Sequence, residues 1–190
     1  MKIILASASP RRRELIGKIP FVEVDIVPSG AEEKTDETDP VGYVKELARL
    51  KARDVHEKKG GVCVGADTIV VCDGVILGKP KDREDAAATL KFISGKTHSV
   101  FTGVCVVSDD EEYVDAEETR VTIAPYDEKA IRAYVESGSP LDKAGAYGIQ
   151  DELFSPLVVS VDGDRDNVIG LPVKLLESML LRLKDQRRRK

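Results

Sequence analysis

One stretch limits the fold more than any other. From Val62 to Leu77 the chain reads Val-Cys-Val-Gly-Ala-Asp-Thr-Ile-Val-Val-Cys-Asp-Gly-Val-Ile-Leu. Two apolar runs flank Asp73-Gly74, a hairpin signal. A run this apolar predicts a buried strand, and one residue interrupts it: Asp67, followed by Thr68. Burying a carboxylate is expensive unless it is paired or coordinates a cation. Two readings stand. Asp67 sits at a turn and caps a neighbouring N–H, or it is an ionised acid at the floor of a cleft, facing a cation or a water.

The opening of the chain carries the opposite charge. Lys2 to Leu5 reads as a short buried strand, and Ser9-Pro10 as a helix start, with Ser9 at the N-cap and Pro10 in the first turn. Ser7, Ser9, Arg11, Arg12 and Arg13 gather there. A strand-to-helix turn at the end of a sheet is where α/β proteins bind phosphates, and the planar donor fork of arginine suits phosphate oxygens. A capped surface helix with solvated arginines is the plainer alternative.

The remaining elements alternate. A half-buried strand is expected over Phe21–Val27, an acidic loop with Glu32 and Glu33 over 28–40, and a helix from Asp39-Pro40 to about Lys58. Lys51 on that helix is either an ordinary solvated lysine or part of a site. Gly78-Lys79-Pro80 resembles a P-loop tail only superficially, because the upstream glycines and the following Ser/Thr are missing. A helix over 82–95, strands over 97–107 and 113–123, and a helix over 127–137 follow. The segment 140–150 pairs Gly145 and Gly148 with Asp142, Lys143 and Gln150, a loop that a ligand could approach closely. After a strand over 158–161, Asp162 to Asp166 fails as a calcium loop, since position six is Asn167 and position twelve Val173. It is expected as a tight acidic turn. Pro172 starts a last amphipathic helix that ends in a solvated basic tail, Arg187 to Lys190.

Bulk properties exclude several classes. The 190 residues and 42% hydrophobic content fit one soluble globular domain spanning 1–190. No apolar run approaches the ~20 residues of a membrane span, and Met1–Leu5 is too short for a signal core. A net charge of −5 argues against nucleic-acid binding. Three cysteines without a C-x-x-C predict reduced, buried thiols in a cytoplasmic protein. His56 and His98 cannot make a zinc site at any familiar spacing, so a metal here would be a hard cation on oxygens.

Several separated stretches together resemble the Maf family of nucleoside triphosphate pyrophosphatases. They are Ala-Ser-x-Ser-Pro-Arg-Arg at 6–12, Leu47-Ala48-x-x-Lys51-Ala52, Gly65-Ala66-Asp67-Thr68, Gly78-Lys79-Pro80, Ser94-Gly95, Thr102-Gly103, the run from Asp142 to Gln150, and Asn167-Val168-x-Gly170-Leu171-Pro172. The resemblance implies an α/β fold, an elongated mixed sheet in two lobes around a central cleft, similar to inosine triphosphatases (Maf/Ham1-like). It implies hydrolysis of a nucleoside triphosphate to the monophosphate and pyrophosphate with a divalent cation, Mg2+ or Mn2+, and a homodimer. Asp67 matches the family's proposed catalytic base, and Arg11, Thr68 and Gln150 match positions that sort substrates. Pro-Arg-Arg, Ala-Asp-Thr and Gly-Ile-Gln look like the branch acting on dTTP and UTP; the sister branch, acting on 7-methyl-GTP, carries Trp after the proline and Ser-Asp-Gln at the acid.

The expected roles follow. Asp67 activates water and shares the metal with Glu32; Ser7, Arg12, Lys51 and Lys79 clamp the triphosphate; Thr68, Gln150 and Arg11 lie at the base; Lys143 contacts substrate. The alternatives are a non-catalytic nucleotide-binding regulator of septum formation and a phosphomonoesterase.

Overall fold

The computed structural model describes residues 1–189, so Lys190 of the basic tail lies outside the described residues. Strand β1 (Lys2–Leu5) leads into helix α1 (Pro10–Ile16), strand β2 (Glu23–Ile26) and helix α2 (Pro40–Lys59). Strands β3 (Cys63–Cys72) and β4 (Val75–Leu77), helix α3 (Arg83–Ile93), strands β5 (Thr97–Val107) and β6 (Glu112–Ile123) and helix α4 (Glu128–Glu136) follow. Strand β7 (Val158–Asp162), helix α5 (Arg165–Ile169) and helix α6 (Val173–Arg189) complete the order. The strands make one seven-stranded sheet, β2-β1-β3-β5-β6-β7, with β4 on β3. It is mixed: β1 runs parallel to β2 and β3, whereas β3–β4 and β6–β7 are antiparallel. Among the described residues no helix is long and apolar enough to cross a membrane.

Local chemistry sets most boundaries. Ser9 caps α1 by accepting from the Arg12 N–H at 3.4 Å. Asp39, Asp82 and Asp127 cap α2, α3 and α4 through the N–H groups of Gly42, Asp85 and Ala130 at 2.8–2.9 Å. Between β3 and β4, Asp73 (φ 49°) and Gly74 (φ 77°) both turn left-handed, as a two-residue hairpin demands.

The residues group into two compact units. The first comprises Met1–Asp67, Thr102–Glu117 and the chain from Gly170 onward; the second comprises Thr68–Phe101 and Glu118–Ile169. Strands β3, β5 and β6 each pass from one unit to the other. In the first, Ala6, Ala48, Ala52, Val55, Cys63, Cys105 and Val107 pack together. Burial raises the Cys63 and Cys105 thiols to about 11 and about 12, so they stay protonated and unreactive.

The second unit packs around aromatic rings. Tyr147 stacks on Phe154 at 4.7 Å, and His98 meets Tyr147 edge-on while its Nε2 lies 2.7 Å from the tyrosine hydroxyl. The acidic segment after β7 departs from expectation. Instead of a turn alone, it passes through Gly163 (φ 126°) into α5, where the fully buried Asn167 donates to the Val100 carbonyl and to Thr119 Oγ1 at 3.0 and 2.9 Å. Those bonds brace β5 and β6, and no local pattern announces them.

His98 gives a pH signature. Burial pushes its imidazole down from 6.5 to about 4, so the folded chain refuses a proton that the unfolded chain accepts. Stability from this group is therefore present above about pH 6.5 and lost as pH falls towards about 4, by up to about 3 kcal/mol. Urea unfolding at about pH 7 and about pH 4.5 should show this loss, and His98→Gln should flatten it.

Candidate functional site

The site grows from the way α2 lies on β3 and β5. A Cβ on Gly65 would sit 2.2 Å from the Ala48 carbonyl oxygen and 2.6 Å from the Ala52 nitrogen; one on Gly103 would sit 2.2 Å from the Val44 carbonyl oxygen. Only glycine lets the helix come this close. Gly65 and Asp67, two apart on a strand, share a face. Ala48, Lys51 and Ala52 share a helix face. The contact at Gly65 therefore carries Lys51 to Asp67.

Lys51 Nζ lies 2.7 Å from Asp67 Oδ1 and 3.0 Å from Glu33 Oε2. Lys51 is 8% exposed and Asp67 7%. Two of the open alternatives close here: Asp67 is inside strand β3 rather than at a turn, and Lys51 is buried rather than solvated. A charge-assisted bond in such surroundings is strong, and losing either partner would strand the other.

Arg12 brings the opening segment to the same charges. Its Nε donates to the Gly170 carbonyl at 2.8 Å and its Nη1 to Ser7 Oγ at 3.5 Å. Burial lowers the proton affinity of its guanidinium, while Asp67 and Glu33 oppose that effect. The Gly170 φ of 125° is a left-handed value, which suits the residue that turns its carbonyl to Arg12. Ser7, Arg12, Glu33, Lys51 and Asp67 thus belong to one cluster in the first unit. Arg11, half-buried, precedes Arg12 on α1.

Two members of the cluster escape sequence reasoning. Glu32, the expected metal ligand, is exposed and pairs with Lys34, whose N–H closes a tight turn on the Glu32 carbonyl at 2.9 Å. Its neighbour Glu33 is the one that reaches Lys51. Tyr43 lies two helical repeats of four before Lys51, on the same face of α2. Burial raises its phenol, and Asp67 and Glu33 raise it further. Tyr43 and Glu33 line, with Lys34, Thr35 and Asp36, a depression of about 360 Å³. The spacing Tyr43-x-x-x-Leu47-x-x-x-Lys51 was the available signal.

The other expected residues lie in the second unit. Thr68 follows Asp67 along β3 and is half-buried; Lys79 and Gln150 are exposed. Lys143 is engaged locally: its Nζ donates to the Ser139 carbonyl at 2.6 Å, to Ser139 Oγ at 3.0 Å and to Asp142 Oδ1 at 2.9 Å. An ammonium has three protons, so these bonds occupy it.

For a metal, the first unit offers the oxygens of Asp67 and Glu33. Among the described residues no group of three or more His, Cys, Asp or Glu side chains could hold an ion. Two carboxylates suit a magnesium-like cation, which keeps several waters and takes further oxygens from phosphates.

The open mixed sheet of parallel and antiparallel strands is that of an α/β protein of Ham1-like architecture. The Ham1 protein of Staphylococcus aureus shares the fold with a TM-score of 0.57 at 16% identity, covering 95% of this chain and 98% of that one. A HAM1 protein of Coxiella burnetii does so with 0.60 at 15%, covering 96% and 99%. The sequence narrows the class: a family model described as Maf-like protein matches residues 2–183, and the chain belongs to that family. A relative in Thermococcus onnurineus, named dTTP/UTP pyrophosphatase, is 45% identical over 176 residues, covering 92% of this chain and 94% of its own. Relatives of the same name in Symbiobacterium thermophilum and Koribacter versatilis are 47% identical over 180 residues and 46% over 184. They cover 94% and 96% of this chain, and 92% and 94% of their own.

Two outcomes test the geometry. Gly65→Ala should lower stability by about 2–3 kcal/mol, because its methyl must displace helix backbone; thermal unfolding measures it. Lys51→Met should cost roughly 3–5 kcal/mol by stranding Asp67, and Lys51→Met with Asp67→Asn should recover most of that in urea titrations.

Proposed function

We propose that this chain hydrolyses nucleoside triphosphates, dTTP and UTP foremost, to the monophosphate and pyrophosphate. The observation that carries the reading is Asp67, buried in an apolar strand and paired with Lys51 beside Glu33 and Arg12. Likeness over 92–96% of this chain to relatives named dTTP/UTP pyrophosphatase supports the choice of reaction and substrate.

In the proposed reaction a water attacks the α-phosphorus in line with the leaving group. The bond to the bridging oxygen breaks, and its electrons leave with pyrophosphate. Asp67 orients the water and accepts its proton, then releases it to solvent. Lys51 and Arg12 offset charge on the phosphate oxygens, with Ser7 as a hydroxyl donor. Lys79, exposed between β4 and α3, would join them as a contact to the triphosphate. Asp67 and Glu33 would hold a divalent cation, Mg2+ or Mn2+, which when bound neutralises phosphate charge. Glu33 takes the role expected of Glu32. Arg11, Thr68 and Gln150 read the base, and Lys143 braces the loop that carries Gln150.

Asp67→Asn should lower turnover by about 10²–10⁴, the range of general-base catalysis, while dTTP binding measured by calorimetry persists. Pyrophosphate must be the phosphate species released, and chelation should stop its release. Orthophosphate in its place would point to a phosphomonoesterase. Binding without any release would leave a nucleotide-binding regulator.

A further inference from the structure

The second unit contains a hydrogen-bond clamp that the proposed chemistry leaves unused. Tyr134 is buried on α4, and its phenolic oxygen touches both ends of the turn 148–151. It accepts from the Gly148 N–H at 2.9 Å and donates to Asp151 Oδ2 at 2.5 Å. The same Asp151 oxygen accepts from Ser139 Oγ at 2.6 Å and lies 3.5 Å from Lys143 Nζ. The turn itself closes through Asp151 N–H to the Gly148 carbonyl at 3.0 Å. Arg165 Nη2 holds the Ile149 carbonyl at 3.3 Å. A Cβ on Gly148 would fall 2.7 Å from both Asp151 Oδ1 and Lys143 Cε, so the turn has no slack. Between these fixed points only Gln150 is exposed.

We infer that Tyr134, acting through Asp151 and Gly148, is a positioning residue that sets the aim of Gln150 and so the preference among pyrimidine nucleotides. The inference rests on the proposed activity and on Gln150 reading the base. Its physical basis is entropic: a side chain on a backbone fixed at both flanks meets the base without first ordering its own loop. Burial and the nearby carboxylate hold the phenol of Tyr134 above its usual range, so it remains a donor throughout neutral pH. Lys143, with its protons engaged by Ser139 and Asp142, holds the far side of the same loop.

Tyr134→Phe removes one oxygen and keeps the ring against Phe154. Pyrophosphate release is measured from dTTP, UTP and dCTP for the wild type, Tyr134→Phe, Gln150→Ala and the double variant. The single Tyr134→Phe change should lower the dTTP-over-dCTP ratio of kcat/KM about five- to tenfold, mainly through KM. The double variant should be no less selective than Gln150→Ala alone, because the clamp acts only through that residue. Hydrogen exchange at the Gly148 amide should quicken. Asp151→Asn, altered on the more exposed side of the clamp, should shift the ratio in the same direction and serves if Tyr134→Phe fails to fold. Unchanged preference in a folded clamp variant overturns the inference, as do effects of Tyr134→Phe and Gln150→Ala that multiply. A wild type that releases no pyrophosphate overturns the activity instead, and the two failures are thereby told apart.

Discussion

The close seat of α2 on β3 and β5 places the decisive ion pair. Gly65 and Gly103 leave no side chain between helix and strands, so the backbone of α2 at Val44, Ala48 and Ala52 sits directly on the sheet. Lys51 is carried to Asp67 by that packing and not by charge attraction alone. A buried ion pair seldom adds net stability over apolar residues of similar volume, because desolvation cancels much of the attraction. The apolar neighbours Cys63, Val64, Ala66 and Ile69 show what the strand would accept at position 67. Stability therefore gives no reason for an acid there; the proposed reaction would.

The second unit solves a different problem by different means. Its core is a set of rings, Tyr126, Tyr134, Tyr147 and Phe154, with His98 held neutral beside Tyr147. Phenols supply polar handles inside an apolar cluster, and here all three are used: Tyr126 donates to the Leu90 carbonyl, Tyr134 ties Gly148 to Asp151, and the Tyr147 hydroxyl pairs with His98 Nε2. A loop with two glycines would ordinarily be loose. Gly145, at φ 68°, instead packs where a Cβ would lie 2.7 Å from Val70 Cγ2, and it donates to the Gly78 carbonyl at 3.0 Å. Close packing and hydrogen bonds together make an irregular segment rigid.

What the sequence made legible is what short-range chemistry decides. The cap at Ser9, the helix starts at Asp39, Asp82 and Asp127 and the hairpin at Asp73-Gly74 were readable because each is decided within a few residues. The mixed sheet and the family followed from motifs spread along the chain. The burial of Lys51 was not readable, since it depends on glycines 14 and 52 positions away and on a sheet not yet assembled. The choice between Glu32 and Glu33 turned on one backbone turn at Lys34. The engagement of Lys143 by Ser139 and Asp142 was not readable, since these neighbours bind it only once the loop has coiled. Asp151 carried no periodic or motif signal at all.

Charge balance connects the cluster to its proposed ligand. Asp67, Glu33, Lys51 and Arg12 carry two negative and two positive charges when all are ionised, with Arg11 adding positive charge beside Arg12. A polyphosphate that drew Lys51 and Arg12 to its own oxygens would leave two carboxylates uncompensated, one of them buried. The carboxylates would then need positive charge from outside the protein, and hard oxygens select a hard cation. On the proposed reading, a divalent cation thus compensates the carboxylates when the substrate engages Lys51 and Arg12. An additional buried lysine would bind the phosphates more tightly, yet it would also hold Asp67 more firmly as a partner and leave it a poorer base.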